Sequence, residues 1–278
     1  NEFWNRTRAT MSSYSPDEPL GVTVNLGRAG QSSVRLQLAL DEDFVNVRRD
    51  TVLNHGEAEF ELVNLIPGRT YSYRVFSGTS TDGDLLASGG FRVNGQLRPI
   101  RIDGGWNCRD LGGWTGLGGH KVQYEKLYRG GSLTSITDKA RSELQTVGIR
   151  AELDFRGLYF GSGNYEGLWA TNGSVHDHAI GYTPIYGADW IHIMSDYEQN
   201  RPLTHSVQVS QLAWVIKELR DGKPVYFHCK SGADRTGEFA FTVESILGLA
   251  EGDIVKDYEL TSFSKSAGGI RSRAELKN

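Results

Sequence analysis

Cys229 and Arg235 stand six positions apart in the stretch Val225-Tyr226-Phe227-His228-Cys229-Lys230-Ser231-Gly232-Ala233-Asp234-Arg235-Thr236-Gly237. A thiol at the start of a tight loop and a guanidinium at its end suit the capture and attack of a phosphate. A helix N-terminus can draw a cysteine pKa from about 8.5 to roughly 3.5–7.5, and the thiolate is the nucleophile. Backbone N–H groups of Lys230, Ser231, Gly232 and Ala233 can form an anion nest, and the planar fork of Arg235 can clamp two phosphate oxygens. Thr236 can donate a hydrogen bond to the thiolate. Gly232 permits a backbone conformation that side chains resist. Attack on phosphorus would give a phosphocysteine, with His228 positioning the cysteine from the strand side.

The flanking residues supply the elements that such a loop needs. Val225 to Phe227 reads as a short buried strand. Phe239, Val243, Ile246 and Leu247 recur at helical spacing. The predicted order is strand, loop, helix, which turns unpaired N–H groups and the positive end of the helix dipole toward the anion.

His228, Cys229, Gly232, Arg235, Thr236 and Gly237 match the His-Cys-x5-Arg-Thr/Ser signature, and the chain resembles the cysteine-based protein tyrosine phosphatase superfamily. Further segments resemble its bacterial tyrosine/serine phosphatase branch: Asn107-Cys108-Arg109-Asp110-Leu111-Gly112-Gly113, Leu127-Tyr128-Arg129-Gly130-Gly131, Ile149-Arg150-Ala151-Glu152-Leu153-Asp154-Phe155-Arg156 and Asp257-Tyr258-Glu259-Leu260-Thr261. That branch reads Tyr-Arg-Ser-Gly where this chain has Gly130, and Asp-Leu-Arg where it has Phe155. The resemblance covers about residues 100 to 263. It implies a phosphomonoester hydrolase working through phosphocysteine, with no metal and no cofactor, on a phosphotyrosine protein or an inositol phosphate. Arg109 and Asp110 are supporting candidates. For these two, and for Arg129 and Arg156, the alternative is an internal ion-pair network that holds the loops.

Hydrolysis also needs a proton donor to the leaving group and a base for water, and one carboxyl can serve both steps. Asp234 lies beside Arg235, as in the bacterial branch and in myotubularin-type phosphatases. Asp189 and Asp196 are the alternatives, each at a distance upstream of Cys229 that suits a mobile loop. Lys230 follows the nucleophile, as in phosphatase-and-tensin-type phosphoinositide phosphatases. Tyr159, Phe160, Trp169, Tyr182, Tyr186 and Trp190 could flank an aromatic ring or be core. Gly157, Gly161, Gly163 and Gly167 suggest a lid. Cys108 is read as a buried free thiol, or else as a partner for Cys229 on oxidation.

The chain has 278 residues and a net charge of −4, with neither sign in enough excess to argue for nucleic acid. Two cysteines give no disulfide framework. No apolar run approaches the roughly 20 residues of a membrane span. The opening Asn1-Glu2-Phe3-Trp4 does not read as a signal peptide and is compatible with the mature end of a secreted or periplasmic chain, or with a cytoplasmic one.

From about Ala9 to Val93 the pattern is all-β. Val22, Val24 and Leu26 alternate, as do Val34, Leu36, Leu38 and Leu40, then Phe60 and Leu62, then Tyr71, Tyr73 and Val75. The stretch Leu65 to Val75 resembles the Pro-Gly-Thr-x-Tyr segment of fibronectin type III-like domains. Gly89-Gly90 and Asn94-Gly95 punctuate its end. The expectation is a β-sandwich module over 1–97, a spacer or docking unit, then an α/β domain over 98–278 with a central sheet flanked by helices. In the latter, Ile100 and Ile102 suggest a strand, Thr137-Asp138 caps a helix to Val147 that Gly148 stops, and Leu212, Val215, Ile216 and Leu219 share a face of another helix.

Overall fold

A computed structural model describes residues 22–25, 32–55, 59–155, 189–192 and 205–264. They group into two compact units, one within Leu20–Arg98 and the other within Pro99–Asn278. Among the described residues, no helix is long and apolar enough to cross a membrane.

Among the described residues of the first unit, the regular elements are strands. β1 (Val22–Asn25) pairs antiparallel with β4 (Glu59–Leu62), and β2 (Val34–Ala39), β3 (Val47–Leu53), β5 (Thr70–Ser77) and β6 (Leu85–Arg92) form an antiparallel sheet in the order β3-β2-β5-β6. Val34, Leu36 and Leu38 alternate inward and pack with Leu53, Leu62, Tyr71 and Val75 in one core. Of the two tyrosines in the Pro-Gly segment, Tyr71 is the buried one, and its hydroxyl accepts a hydrogen bond from the Ile66 N–H at 2.9 Å. Gly89 and Gly90 do not end this region but lie inside β6. Gly89 faces Tyr73 across the ladder, and a Cβ there would come within 2.9 Å of the Tyr73 hydroxyl oxygen, so the aromatic ring covers the position that a side chain would take.

The second unit carries a six-stranded sheet in the order β11-β10-β12-β9-β8-β7. Its strands are β7 (Arg98–Pro99), β8 (Arg109–Asp110), β9 (Leu127–Gly130), β10 (Ala151–Asp154), β11 (Asp189–His192) and β12 (Val225–His228). β11, β10, β12 and β9 run parallel, which requires crossover connections between them. β12 lies in the middle of the parallel set, and all four of its residues are buried. The expected strand at Ile100 and Ile102 is displaced: β7 ends at Pro99, the Ile100 N–H still donates to the Cys108 carbonyl at 2.8 Å, and both isoleucines are buried outside the strand.

Four α-helices are described in this unit: α1 (Asp138–Val147), α2 (His205–Arg220), α3 (Asp234–Ile246) and α4 (Glu251–Leu260). α1 begins and ends where its capping residues dictate. Thr137 Oγ1 accepts from the Ala140 N–H at 3.2 Å, and Gly148 adopts φ 103°, a left-handed stop. Two cores lie on the sheet. One gathers Ile100, Cys108, Tyr128, Leu144 and Tyr226; the other gathers Leu153, Val215, Phe227, Cys229, Phe239 and Val243. Period-2 alternation sends Tyr226 to the first and Phe227 to the second. Ile216 and Ile246, expected on the apolar faces of α2 and α3, are instead exposed at 63% and 65%.

Candidate active site

Cys229 follows the last residue of β12, at the carboxyl end of the parallel strands, where such sheets form their sites. The loop from Cys229 leads straight into α3, whose first two residues are Asp234 and Arg235.

The loop's shape is imposed from outside by its carbonyls. Lys230 O accepts from the Ser132 N–H at 2.9 Å and from Trp106 Nε1 at 3.2 Å. Ser231 O accepts from Asn107 Nδ2 at 3.2 Å. Gly232 O accepts from Asn107 Nδ2 at 2.9 Å and from Arg129 Nη2 at 3.0 Å. In a trans peptide the C=O and the following N–H point in opposite directions. Holding three consecutive carbonyls outward therefore turns the N–H groups of Ser231, Gly232 and Ala233 to the other side, toward the concave face of the loop. Gly232 is required twice over. Its φ is +68°, and a Cβ would stand 2.4 Å from the Gly130 carbonyl carbon.

The donors that hold the loop are themselves fixed. Asn107 Oδ1 accepts from Arg109 Nη1 at 2.6 Å, which commits the amide nitrogen to the loop. Arg109 Nε pairs with Asp257 Oδ1 at 2.8 Å, and Arg129 Nη1 pairs with Asp257 Oδ2 at 2.5 Å. All three charged groups are buried. Burial alone would push the Asp257 carboxyl up, but the Arg109 and Arg129 guanidiniums pull harder and bring it to about 2. Glu244 of α3 is buried beside this cluster. Burial and then the Asp257 charge push its pKa well up, and its Oε1 has no hydrogen-bond partner.

Beneath the loop, His228 is buried completely. Its Nδ1 lies 3.1 Å from the Cys229 carbonyl and its Nε2 lies 2.8 Å from Glu152 Oε1. A carbonyl only accepts, so the first contact is a hydrogen bond in the tautomer that carries its hydrogen on Nδ1, and the Glu152 carboxyl faces the other ring nitrogen. The Cys229 backbone is thereby pinned from the strand side. Cys229 itself is 3% exposed. Burial raises its thiol pKa, yet the Thr236 hydroxyl, the Thr236 N–H, the Arg235 charge and the Gly232 N–H outweigh it, and the net shift is downward. Thr236 Oγ1 is buried next to the thiol, and of the groups that lower the thiol pKa it acts most strongly.

The structure brings Cys229, Lys230, Ser231, Gly232, Ala233, Asp234, Arg235, Thr236 and His228 into one strand-loop-helix unit. Lys230 is exposed, and Asp234 and Arg235 are half-buried, with Arg235 Nη1 donating to the Phe155 carbonyl at 3.0 Å. Arg109 and Arg129 serve the supporting network. Asp110 shapes the neighbouring loop, its carboxylate accepting from the Gly112 and Glu125 N–H groups at 2.8 and 2.9 Å. Asp189 does not sit on a loop. It opens β11 level with Val225, three residues from the His228 end, or about 10 Å along the sheet. Asp196, Arg156, Tyr159, Phe160, Trp169, Tyr182, Tyr186 and the glycines Gly157 to Gly167 lie outside the described residues, and Trp190 is placed only by its backbone in β11. Cys108 and Cys229 are both free and belong to different cores; Cys108 Sγ lies 3.3 Å from the Tyr226 hydroxyl. That hydroxyl also accounts for Gly130, since a Cβ there would come within 2.2 Å of it.

Sequence reasoning passed over Trp106, the Asn107 side chain, Glu152, Glu244 and the Asp257 carboxyl. Asn107, Glu152 and Asp257 lie inside the segments that resemble the bacterial branch. The signal for Glu152 is that a glutamate in a buried strand needs a partner.

Residues 100–276 match the profile of the tyrosine phosphatase family, and the chain belongs to that family. A Cupriavidus necator protein named as a putative tyrosine-protein phosphatase is 30% identical over 169 residues, which cover 55% of this chain and 59% of that protein. The chain thus spans well under two thirds of that relative's length. Among solved structures, P. aeruginosa TpbA aligns with a TM-score of 0.36 and 16% identity over 56% of this chain and 78% of its own. A cysteine-to-serine form of TpbA in complex with phosphotyrosine aligns with a TM-score of 0.36 and 14% identity over 56% of this chain and 85% of its own.

Proposed function

We propose that the chain hydrolyses phosphomonoesters through a phosphocysteine, as a protein tyrosine or dual-specificity type phosphatase. One observation carries this reading: three outward-held carbonyls turn the N–H groups of Ser231, Gly232 and Ala233 to the concave side of a loop that starts at a buried thiol of lowered pKa. The phosphate dianion would bind those N–H groups and the Arg235 fork. Cys229 Sγ attacks phosphorus, the bond to the leaving oxygen breaks, and Asp234 protonates that oxygen. Water then attacks the phosphocysteine with Asp234 as base, and the departing thiolate is stabilised by Thr236. Asp234 is favoured over Asp189 because it lies in the first turn of α3 beside Arg235, whereas Asp189 opens a strand.

A second reading, an inositol polyphosphate or phosphoinositide substrate, draws on Lys230, exposed next to the nucleophile. In the first unit, strand pairing and the Tyr71 hydrogen bond support a fibronectin type III-like β-sandwich module, with the domain boundary near residue 97 and a spacer or docking role. Phosphate release from a phosphotyrosine peptide and from an inositol polyphosphate, in EDTA, tests the assignment. The proposal expects release that Cys229→Ser abolishes, with the peptide preferred. Release from the inositol substrate alone would favour the second reading, and release from neither would reduce the loop to a phosphate-binding element.

A further inference from the structure

A small recess, with room for about one water or an ammonium head, lies beside Arg235 between α2 and α3. Arg235, Glu238 and Thr242 stand at i, i+3 and i+7 of α3 and so share one face; Gln208 and Gln211 of α2 oppose them, with Phe155 at the end of β10. Arg235 and Glu238 are the charged residues among this lining. Thr242 turns its hydroxyl back onto the Glu238 main-chain carbonyl at 3.0 Å and does not bond the Glu238 carboxyl.

That carboxyl is half-buried, and burial pushes its pKa up with no opposing hydrogen bond or charge. It has no hydrogen-bond or ion-pair partner among the described residues. A partly desolvated carboxylate without a partner is unfavourable, and a perturbed carboxyl in a cleft next to a site's arginine marks a functional position. Arg235 Nη1 donates to the Phe155 carbonyl, and no ion pair joins Arg235 to Glu238 among the described residues. Once a phosphate is bound, Arg235 is committed to the dianion, and Glu238 becomes the unpaired charge of the recess.

We propose that this recess is a substrate subsite and that Glu238 is its specificity-determining residue, receiving an ammonium or guanidinium that the substrate carries beside its phosphate. The inference rests on the phosphatase reading above and narrows it to phosphopeptides with lysine or arginine next to the phosphorylated residue. An inositol polyphosphate would bring further anionic groups against Glu238.

The test compares kcat/KM for phosphotyrosine peptides that differ only in one flanking lysine, alanine or glutamate, using the full chain and its Glu238→Gln and Glu238→Lys variants. The lysine peptide is expected to exceed the glutamate peptide by roughly three- to tenfold in the parent, the span of a partly exposed ion pair. Glu238→Gln should remove most of that ratio, and Glu238→Lys should invert it. Ratios are taken within each enzyme, so any loss of folded protein cancels. Hydrolysis with the same ratio in parent and Glu238→Gln overturns the subsite while leaving the phosphatase assignment intact. No release from any peptide overturns both.

Discussion

Arg129 donates through Nη2 to the Gly232 carbonyl at 3.0 Å while its Nη1 is held by Asp257. The contact joins residues 103 positions apart and connects α4 to the Cys229–Arg235 loop through the Arg129 side chain. The loop's concavity is thus set by a buried ion cluster behind it as well as by its own glycine.

Asp257→Ala should therefore destabilise the fold strongly. Removing it leaves Arg109 and Arg129 buried without their counter-ion, and breaking a buried pair from one side costs about 3–5 kcal/mol. Urea unfolding at neutral pH measures this. Its pH dependence has a defined sign. Burial pushes this carboxyl up, and the two arginines bring it down to about 2, below its ordinary 3.8. The stabilisation is complete above the ordinary value and is lost as pH falls through the folded one. The gap between parent and Asp257→Asn should narrow as pH falls below about 4 and close only near pH 2.

Glu244→Gln has the opposite sign. Burial, then the charge of Asp257, raises the Glu244 pKa well above normal. Its contribution is present below the ordinary carboxylate range and is lost as pH rises through the folded value. The amide should raise the melting temperature at neutral and mildly alkaline pH and have little effect near pH 4. A variant less stable than the parent at pH 8 would mean that the carboxylate is paired there.

Gly232→Ala should abolish the site without unfolding the sheet. The methyl group would meet the Gly130 peptide at 2.4 Å at a φ of +68°. Phosphate release should fall at least about 100-fold, the scale of losing a positioned oxyanion donor, while far-ultraviolet circular dichroism stays that of the parent.

Cys229 should alkylate with iodoacetamide at a midpoint pH below that of a free thiol, since the Thr236 hydroxyl, the Thr236 N–H, Arg235 and the Gly232 N–H outweigh burial. Thr236→Val removes the first of these and should move the midpoint upward. An unchanged midpoint would show that the backbone and Arg235 suffice.

The residues legible in the sequence were those whose function is local. Strand, loop and helix follow one another from Val225 to Ile246, so the motif and the periodicity described the same object. Thr137 and Gly148 bounded α1 for the same reason, each cap acting on its own turn. The support was not legible. Asn107, Glu152 and Asp257 reach their partners across 125, 76 and 148 positions, and no spacing rule connects them. Gly89 read as a terminator because a glycine in a sequence does not reveal the Tyr73 ring that covers it. Asp189 read as a loop acid because its distance upstream of Cys229 suited one, whereas the structure puts its backbone in register with Ala151 at the start of a parallel strand.

The central claim is that Cys229 is the nucleophile. Single-turnover reaction with a phosphotyrosine peptide, quenched in acid and followed by mass spectrometry, tests it directly. In Asp234→Asn, where hydrolysis of the intermediate should be slowed, a phosphate should be found covalently on Cys229, and Cys229→Ser should neither carry that adduct nor release phosphate. Phosphate release by Cys229→Ser at the parent rate would contradict the account.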